Sequence, residues 1–153
     1  MMKTNFETFQ ELIEGYLSEN GYPNSLLSDI EKASYSKAAK KSLCSSDLPV
    51  LDMDKFAQKR YRKIILPHSN TEDDSINTAD AFMINKENEW YFIEFKYGII
   101  GNNKLSVLKK AYSNVYAIMD VLFSMRGTKY EYSGFDYNNP VQFIQSAVYP
   151  SVQ

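Results

Sequence analysis

The chain has 153 residues, 44% hydrophobic and 24% charged, which fits one folded domain with a genuine core and excludes a disordered or fibrous chain. Its net charge is −2, from 17 basic and 19 acidic residues, which excludes a protein that coats nucleic acid with its whole surface; any such contact must use a local basic patch. A single cysteine, Cys44, excludes an internal disulfide and a multi-cysteine zinc site.

Met1 to Phe6 lacks the apolar stretch of a signal peptide, and no apolar run approaches a membrane span. The expectation is therefore a soluble, cytoplasmic protein with no membrane partner, and residues 1–153 read as a single domain. From Asn5 to about Glu19, Phe6, Phe9, Ile13, Tyr16 and Leu17 follow helical spacing, with Thr4 or Asn5 available as N-cap. Gly21 and Pro23 end that helix. Ser25 then predicts a second helix carrying Leu26, Leu27, Ile30, Ala33 and Ala38, closing in the basic run Lys37 to Lys41. Pro49 breaks the chain, and Asp52 to Arg62 reads as a short third helix with a strongly basic tail.

Ile64 to Leu66 is a candidate strand, followed by a polar loop over 68–78. Ala79 to Ile84 and Trp90 to Phe95 read as two further strands, joined by the polar turn Asn85 to Glu89. Gly98 and Gly101 mark a turn. After it, Leu105, Leu108, Ala111, Tyr112, Val115, Ile118, Met119 and Leu122 predict the longest helix, over about 103–125. Beyond Gly127 the chain is aromatic and irregular, with a short helix expected from Pro140. The expected class is α/β or α+β, a central mixed β-sheet flanked by helices.

The chemistry-bearing residues lie on the predicted hairpin. Asp80 begins one strand and Glu94 ends the next, so antiparallel pairing brings both carboxylates to one end. Lys96 follows Glu94 by two, which places the two side chains on the same strand face. Carboxylates supply hard oxygen ligands for Mg²⁺, with Mn²⁺ as a substitute, and the backbone carbonyl of Phe95 is placed to add another. The lysine can orient a water or stabilise developing charge. The plainer reading of Glu-x-Lys is a solvated strand face. Against it, Trp90 to Ile93 and Phe95 form a nearly continuous apolar run, and charges at the end of a buried strand are costly unless paired or metal-bound.

Ala79-Asp80 … Ile93-Glu94-Phe95-Lys96 resembles the motif of the PD-(D/E)XK nuclease superfamily, with its restriction-endonuclease-like fold. The resemblance covers about residues 60–125: strand, hairpin, then helix. It implies an Mg²⁺-dependent nuclease hydrolysing phosphodiester bonds, foremost in DNA, with Asp80 and Glu94 as metal ligands and Lys96 as the catalytic lysine. Ala79 stands where the motif name has Pro. The resemblance also implies an acidic residue on an early helix, for which Glu14 is the first candidate and Glu31 its rival. The Gln-x-x-x-Tyr of the exonuclease-like branch is replaced by Tyr112-x-x-x-Tyr116, and a later buried strand is not evident, Lys129 to Tyr132 alternating like a half-exposed one.

Lys104, Lys109 and Lys110, on the helix after the motif, are candidate phosphate contacts, preferred to the cluster at 55–63; a solvated face is the plainer reading. His68, the only histidine, is a candidate general base or simply an exposed loop residue. Glu72 to Asp74 lacks the glycine and spacing of a calcium loop. A rival function is a non-catalytic, protein-binding member of the same fold, an immunity or regulatory protein, with the aromatic segment Tyr130 to Tyr149 as its interface. A homodimer is compatible with either.

Overall fold

The computed structural model describes residues 1–23, 25–56, 79–97 and 104–139, and for 104–108 and 111 the backbone alone. The predicted strand at 64–66, the loop with His68 and Glu72 to Asp74, the basic tail at 59–63 and the helix from Pro140 lie outside the described residues.

Helix α1 spans Asn5–Glu19. Thr4 caps it: its hydroxyl accepts from Glu7 N–H at 3.1 Å while the Glu7 carboxylate accepts from Thr4 N–H at 2.8 Å, a reciprocal box that satisfies two otherwise orphaned donors. Phe6, Phe9, Ile13 and Leu17 form its buried stripe.

The predicted second helix does not form over 25–41. The chain instead makes strand β1 (Leu27–Asp29), a single helical turn α2 (Ile30–Ala33), and two short strands, β2 (Tyr35–Ser36) and β3 (Lys41–Ser42). Leu26 is fully buried whereas Leu27 is exposed, the alternation of a strand rather than a helical stripe. Asp29 caps α2 through Lys32 N–H at 2.8 Å. Buried Ser34 stops that turn: its hydroxyl meets the carbonyls of Glu31 and Cys44, and Cys44 N–H donates back to it.

Strand β4 (Pro49–Asp52) runs into the turn α3 (Met53–Lys55), capped by Asp52 through Lys55 N–H at 3.0 Å. Of the third predicted helix, only this first turn falls among the described residues. Strands β5 (Ala81–Ile84) and β6 (Trp90–Ile93) form the expected hairpin, with Phe82 opposite Phe92 and Ile84 opposite Trp90. Helix α4 (Lys104–Met125) follows.

The four-stranded sheet has the order β1-β4-β5-β6, and every pairing is antiparallel. The expected mixed sheet is therefore corrected: among the described residues the architecture is α+β on an antiparallel sheet. Each sheet face has its own apolar cluster. Phe82, Ile84, Trp90 and Phe92 join α1 and α4 in the larger one, and Ala81 and Ile93 join Ile30 and Val50 in the smaller. At the centre of the larger cluster, the Phe9 ring lies 5.4 Å from Phe82, 5.6 Å from Trp90 and 5.2 Å from Tyr132. Among the described residues no helix is long and apolar enough to cross a membrane.

Candidate functional site

Asp80 and Glu94 sit where the β5–β6 hairpin leaves the sheet. Ala81 pairs with Ile93, and Asp80 N–H donates to the Ile93 carbonyl at 3.0 Å, carrying the pairing one residue past the strand end. On its other side, the Asp80 carbonyl accepts from Met53 N–H at 3.2 Å, so α3 is docked against the same point. The preceding residue is anchored from α4: Ala79 N–H donates to the buried Asn114 side-chain oxygen at 3.0 Å. The backbone of Asp80 is thus held from three elements.

The Asp80 carboxylate accepts from Phe95 N–H at 2.7 Å. Glu94 is only 5% exposed, and its Oε1 receives two ammonium groups, Lys96 at 2.7 Å and Lys110 at 2.6 Å. Glu94 and Lys96 therefore share a strand face, as their spacing requires. Among the described residues, Glu94 Oε2 is buried without a hydrogen-bond partner, an orphan that carries a desolvation cost.

Burial pushes the Asp80 carboxyl up to about 6. The Phe95 N–H opposes this, the Glu94 charge adds to it, Lys110 opposes it and Asp54 adds to it. Lys96 is raised, first by its hydrogen bond to Glu94. Because the folded value of Asp80 exceeds the ordinary one, the folded protein keeps a proton that the unfolded chain releases between about pH 4 and 6. That contribution to stability is fully present below the unfolded value and is lost as pH rises through about 6. In the presence of chelator, the advantage of the wild type over Asp80→Asn should therefore shrink across this window, read from urea midpoints at each pH. Parallel curves for the two proteins would remove Asp80 as the source.

The other candidates are distributed differently. Lys110 reaches Glu94, not open solvent, so it belongs to the carboxylate site before any phosphate. Lys109 is exposed, and the side chain of Lys104 lies outside the described residues. Glu14 is engaged elsewhere: its carboxylate accepts from Ser25 Oγ at 2.9 Å, Leu26 N–H at 2.5 Å and Gln10 Nε2 at 3.1 Å, tying α1 to the start of β1. None of its hydrogen bonds goes to Asp80, Glu94 or Lys96. Asp54, on α3, is the acidic neighbour that Asp80 feels in its place, and the only sequence signal for it is its position after β4.

Among the described residues no cluster of three or more His, Cys, Asp or Glu is arranged to hold a metal. A hard cation that keeps several waters needs only one or two carboxylates. Asp80, Glu94 and the Phe95 carbonyl provide that donor set, and the orphaned Glu94 Oε2 is the atom that a cation would satisfy. The chemistry of this donor set, hard oxygens with one carboxylate oxygen unpaired among the described residues, is the kind Mg²⁺ takes.

Beside Asp80 opens a small cleft of about 100 Å³. Its lining includes Asp80, Phe95 and Tyr97 from the end of the hairpin and Ser34, Tyr35 and Ser36 from β2 and its approach. Comparison with protein families, curated proteins and solved structures finds no match.

Proposed function

We propose that the protein is an Mg²⁺-dependent nuclease of the PD-(D/E)XK type, on a restriction-endonuclease-like variant of its α+β fold, acting in a reducing compartment and foremost on DNA. The observation that carries this reading is the convergence of Asp80, buried Glu94 and Lys96 at one end of the β5–β6 hairpin, with a buried carboxylate oxygen left unpartnered. Asp80, Glu94 and the Phe95 carbonyl would hold the ion. Bound Mg²⁺ supplies charge stabilisation at the phosphoryl group and a more acidic water. Asp80 is held in place through its bond from Phe95 N–H, so its free lone pairs point where its backbone anchors fix them. Lys96, the more exposed of the two lysines on Glu94 (30% against 20%), is the cation that can turn toward a scissile phosphate. Lys110 holds the Glu94 carboxylate in position from α4.

Plasmid, single-stranded DNA and RNA incubated with the protein in Mg²⁺ or Mn²⁺ provide the test. Cleavage is expected, and cleavage that survives Asp80→Ala would sink the assignment of the site.

One observation favours a second reading, a non-catalytic protein-binding role on the same fold. Glu94 Oε1 already carries two ammonium partners, which is how a purely structural ion cluster also satisfies a buried carboxylate. Calorimetric Mn²⁺ titration separates the two: heat of binding that disappears in Asp80→Asn supports the nuclease, and a flat titration supports the second reading.

A further inference from the structure

The hairpin made by β2 and β3 lies across the cleft from the carboxylate site, and nothing in the nuclease reading uses it. It is chemically unlike the rest of the chain. From Ala33 to Ser46 the sequence contains Lys37, Lys40 and Lys41 and no acidic residue, in a protein whose overall charge is −2. All three lysines are exposed, and none forms an ion pair with any described residue. By contrast Lys3, Lys32, Lys55, Lys86, Lys96, Lys110 and Lys129 are each paired with a carboxylate. A local cationic surface with no counter-charge among the described residues has the electrostatic character of a polyanion site.

The same hairpin brings an aromatic ring to the cleft. Tyr35 is 56% exposed and Tyr97 65% exposed, and both line the cleft together with Asp80. Neither ring stacks on another aromatic among the described residues. Two exposed tyrosine rings lining one small cleft beside Asp80 offer stacking surface of the kind that suits the face of a nucleobase. The slot is smaller than a typical small-molecule pocket of roughly 300–1,000 Å³, so it takes one planar ring and not an extended ligand. Bases in a duplex are stacked on their neighbours and cannot enter; an unpaired base can.

The geometry points to the β2–β3 hairpin as a binding arm for single-stranded nucleic acid, with Lys37, Lys40 and Lys41 on the backbone phosphates and one unpaired base held between Tyr35 and Tyr97 beside Asp80. This deepens the nuclease reading, on which its placement next to a reacting phosphate rests; the binding itself does not depend on cleavage. It also moves the polyanion contact from α4, where Lys110 is engaged with Glu94, to the β2–β3 hairpin.

Fluorescence anisotropy of a labelled single-stranded oligonucleotide, a hairpin-free RNA of the same sequence and the matching duplex, in chelator so that no strand is cut, tests it on the full chain. Single strands should bind at least tenfold more tightly than duplex. The triple variant Lys37→Gln/Lys40→Gln/Lys41→Gln should lower the slope of log affinity against log salt by about 2, from about 0.7 for each phosphate contact on a single strand. Tyr35→Ala or Tyr97→Ala should each weaken single-strand binding about tenfold, with Tyr→Phe at either position retaining it. Circular dichroism and the urea midpoint of each variant guard against misfolding. Equal affinity of wild type and triple variant, or loss in the tyrosine variants that Phe does not rescue, would overturn the proposal, as would binding of an acidic protein with none to any oligonucleotide. Tight, lysine-dependent binding without cleavage in Mg²⁺ would leave the arm standing and the nuclease reading fallen; cleavage with a silent hairpin would do the reverse.

Discussion

Lys96→Ala should slow phosphodiester cleavage about 10²–10³-fold, the loss that follows removal of one preorganised group aimed at developing charge. The fold should survive the change, because Lys96 is 30% exposed and Glu94 keeps Lys110 at 2.6 Å. The effect should fall on kcat more than on KM, since the ammonium's interaction strengthens as charge builds on the phosphoryl oxygens. Asp80→Asn should reach a similar loss by another route, by weakening metal binding, and raising Mn²⁺ should restore part of its activity but none of the activity lost in Lys96→Ala. Initial rates on an end-labelled oligonucleotide at several metal concentrations distinguish the two. Rates within threefold of wild type for Lys96→Ala would remove it from the reaction.

The second large effect concerns stability as well as activity. Glu94→Ala removes the one carboxylate that neutralises both Lys96 and Lys110, leaving two ammonium groups side by side in a partly buried place. Breaking a buried pair in this way costs about 3–5 kcal/mol; the residual exposure of the lysines, which lets both turn toward water, puts the expectation near the lower end, about 3 kcal/mol. Glu94→Gln should cost less, because the amide oxygen can still accept from one lysine. Lys110→Met should cost least, since Glu94 retains Lys96 and the methionine keeps most of the lysine's volume beside Glu94. Urea midpoints in chelator order the three variants. If Glu94→Ala unfolds within about half a kcal/mol of wild type, the two ion pairs contribute nothing to folding and Glu94 is retained for chemistry alone.

The parts of the fold that sequence spacing announced are those in which local pattern and tertiary context agree. The hairpin of β5 and β6 shows its turn residues and its apolar run directly, and α1 and α4 show their stripes. The segment from Ser25 to Lys41 misleads because Leu26, Ile30, Ala33 and Ala38 happen to fit a helix. Pairing of Leu27 with Leu51 and Ser28 with Val50 outweighs that weak local preference, as sheet contacts commonly do. The expectation of a mixed sheet came from the order of the predicted elements; β1 and β4, which that reading did not contain, pair antiparallel with each other and with β5.

The site was legible to the extent that it is local. Asp80, Glu94 and Lys96 lie within one hairpin, so strand alternation suffices to bring them together. Lys110 and Asp54 enter from other elements, and nothing in their own neighbourhoods distinguishes them from surface charges. Glu14 had the right chemistry on the right kind of helix, yet its carboxylate is needed to hold Ser25 and Leu26. Lys37 to Lys41 was visible as a basic run, but its meaning changed once the chain turned it into a hairpin facing Asp80.

The aromatic cluster around Phe9 has a consequence in time. Tyr132 and Phe135 close over Phe9 and Trp90, with centroids 5.2 and 5.7 Å apart for the Phe9–Tyr132 and Trp90–Phe135 pairs, and Tyr132 is tied to the β5–β6 turn through Asn88 at 2.9 Å. Phe9 and Tyr132 lie more than a hundred residues apart in the sequence, so their contact closes a long loop and is slow to form. During synthesis the rings of Phe9, Phe82 and Trp90 remain without their cover until residue 135 has left the ribosome. Until then the chain carries these rings without their cover, and its yield in cells should depend on holding chaperones more than its final stability would suggest.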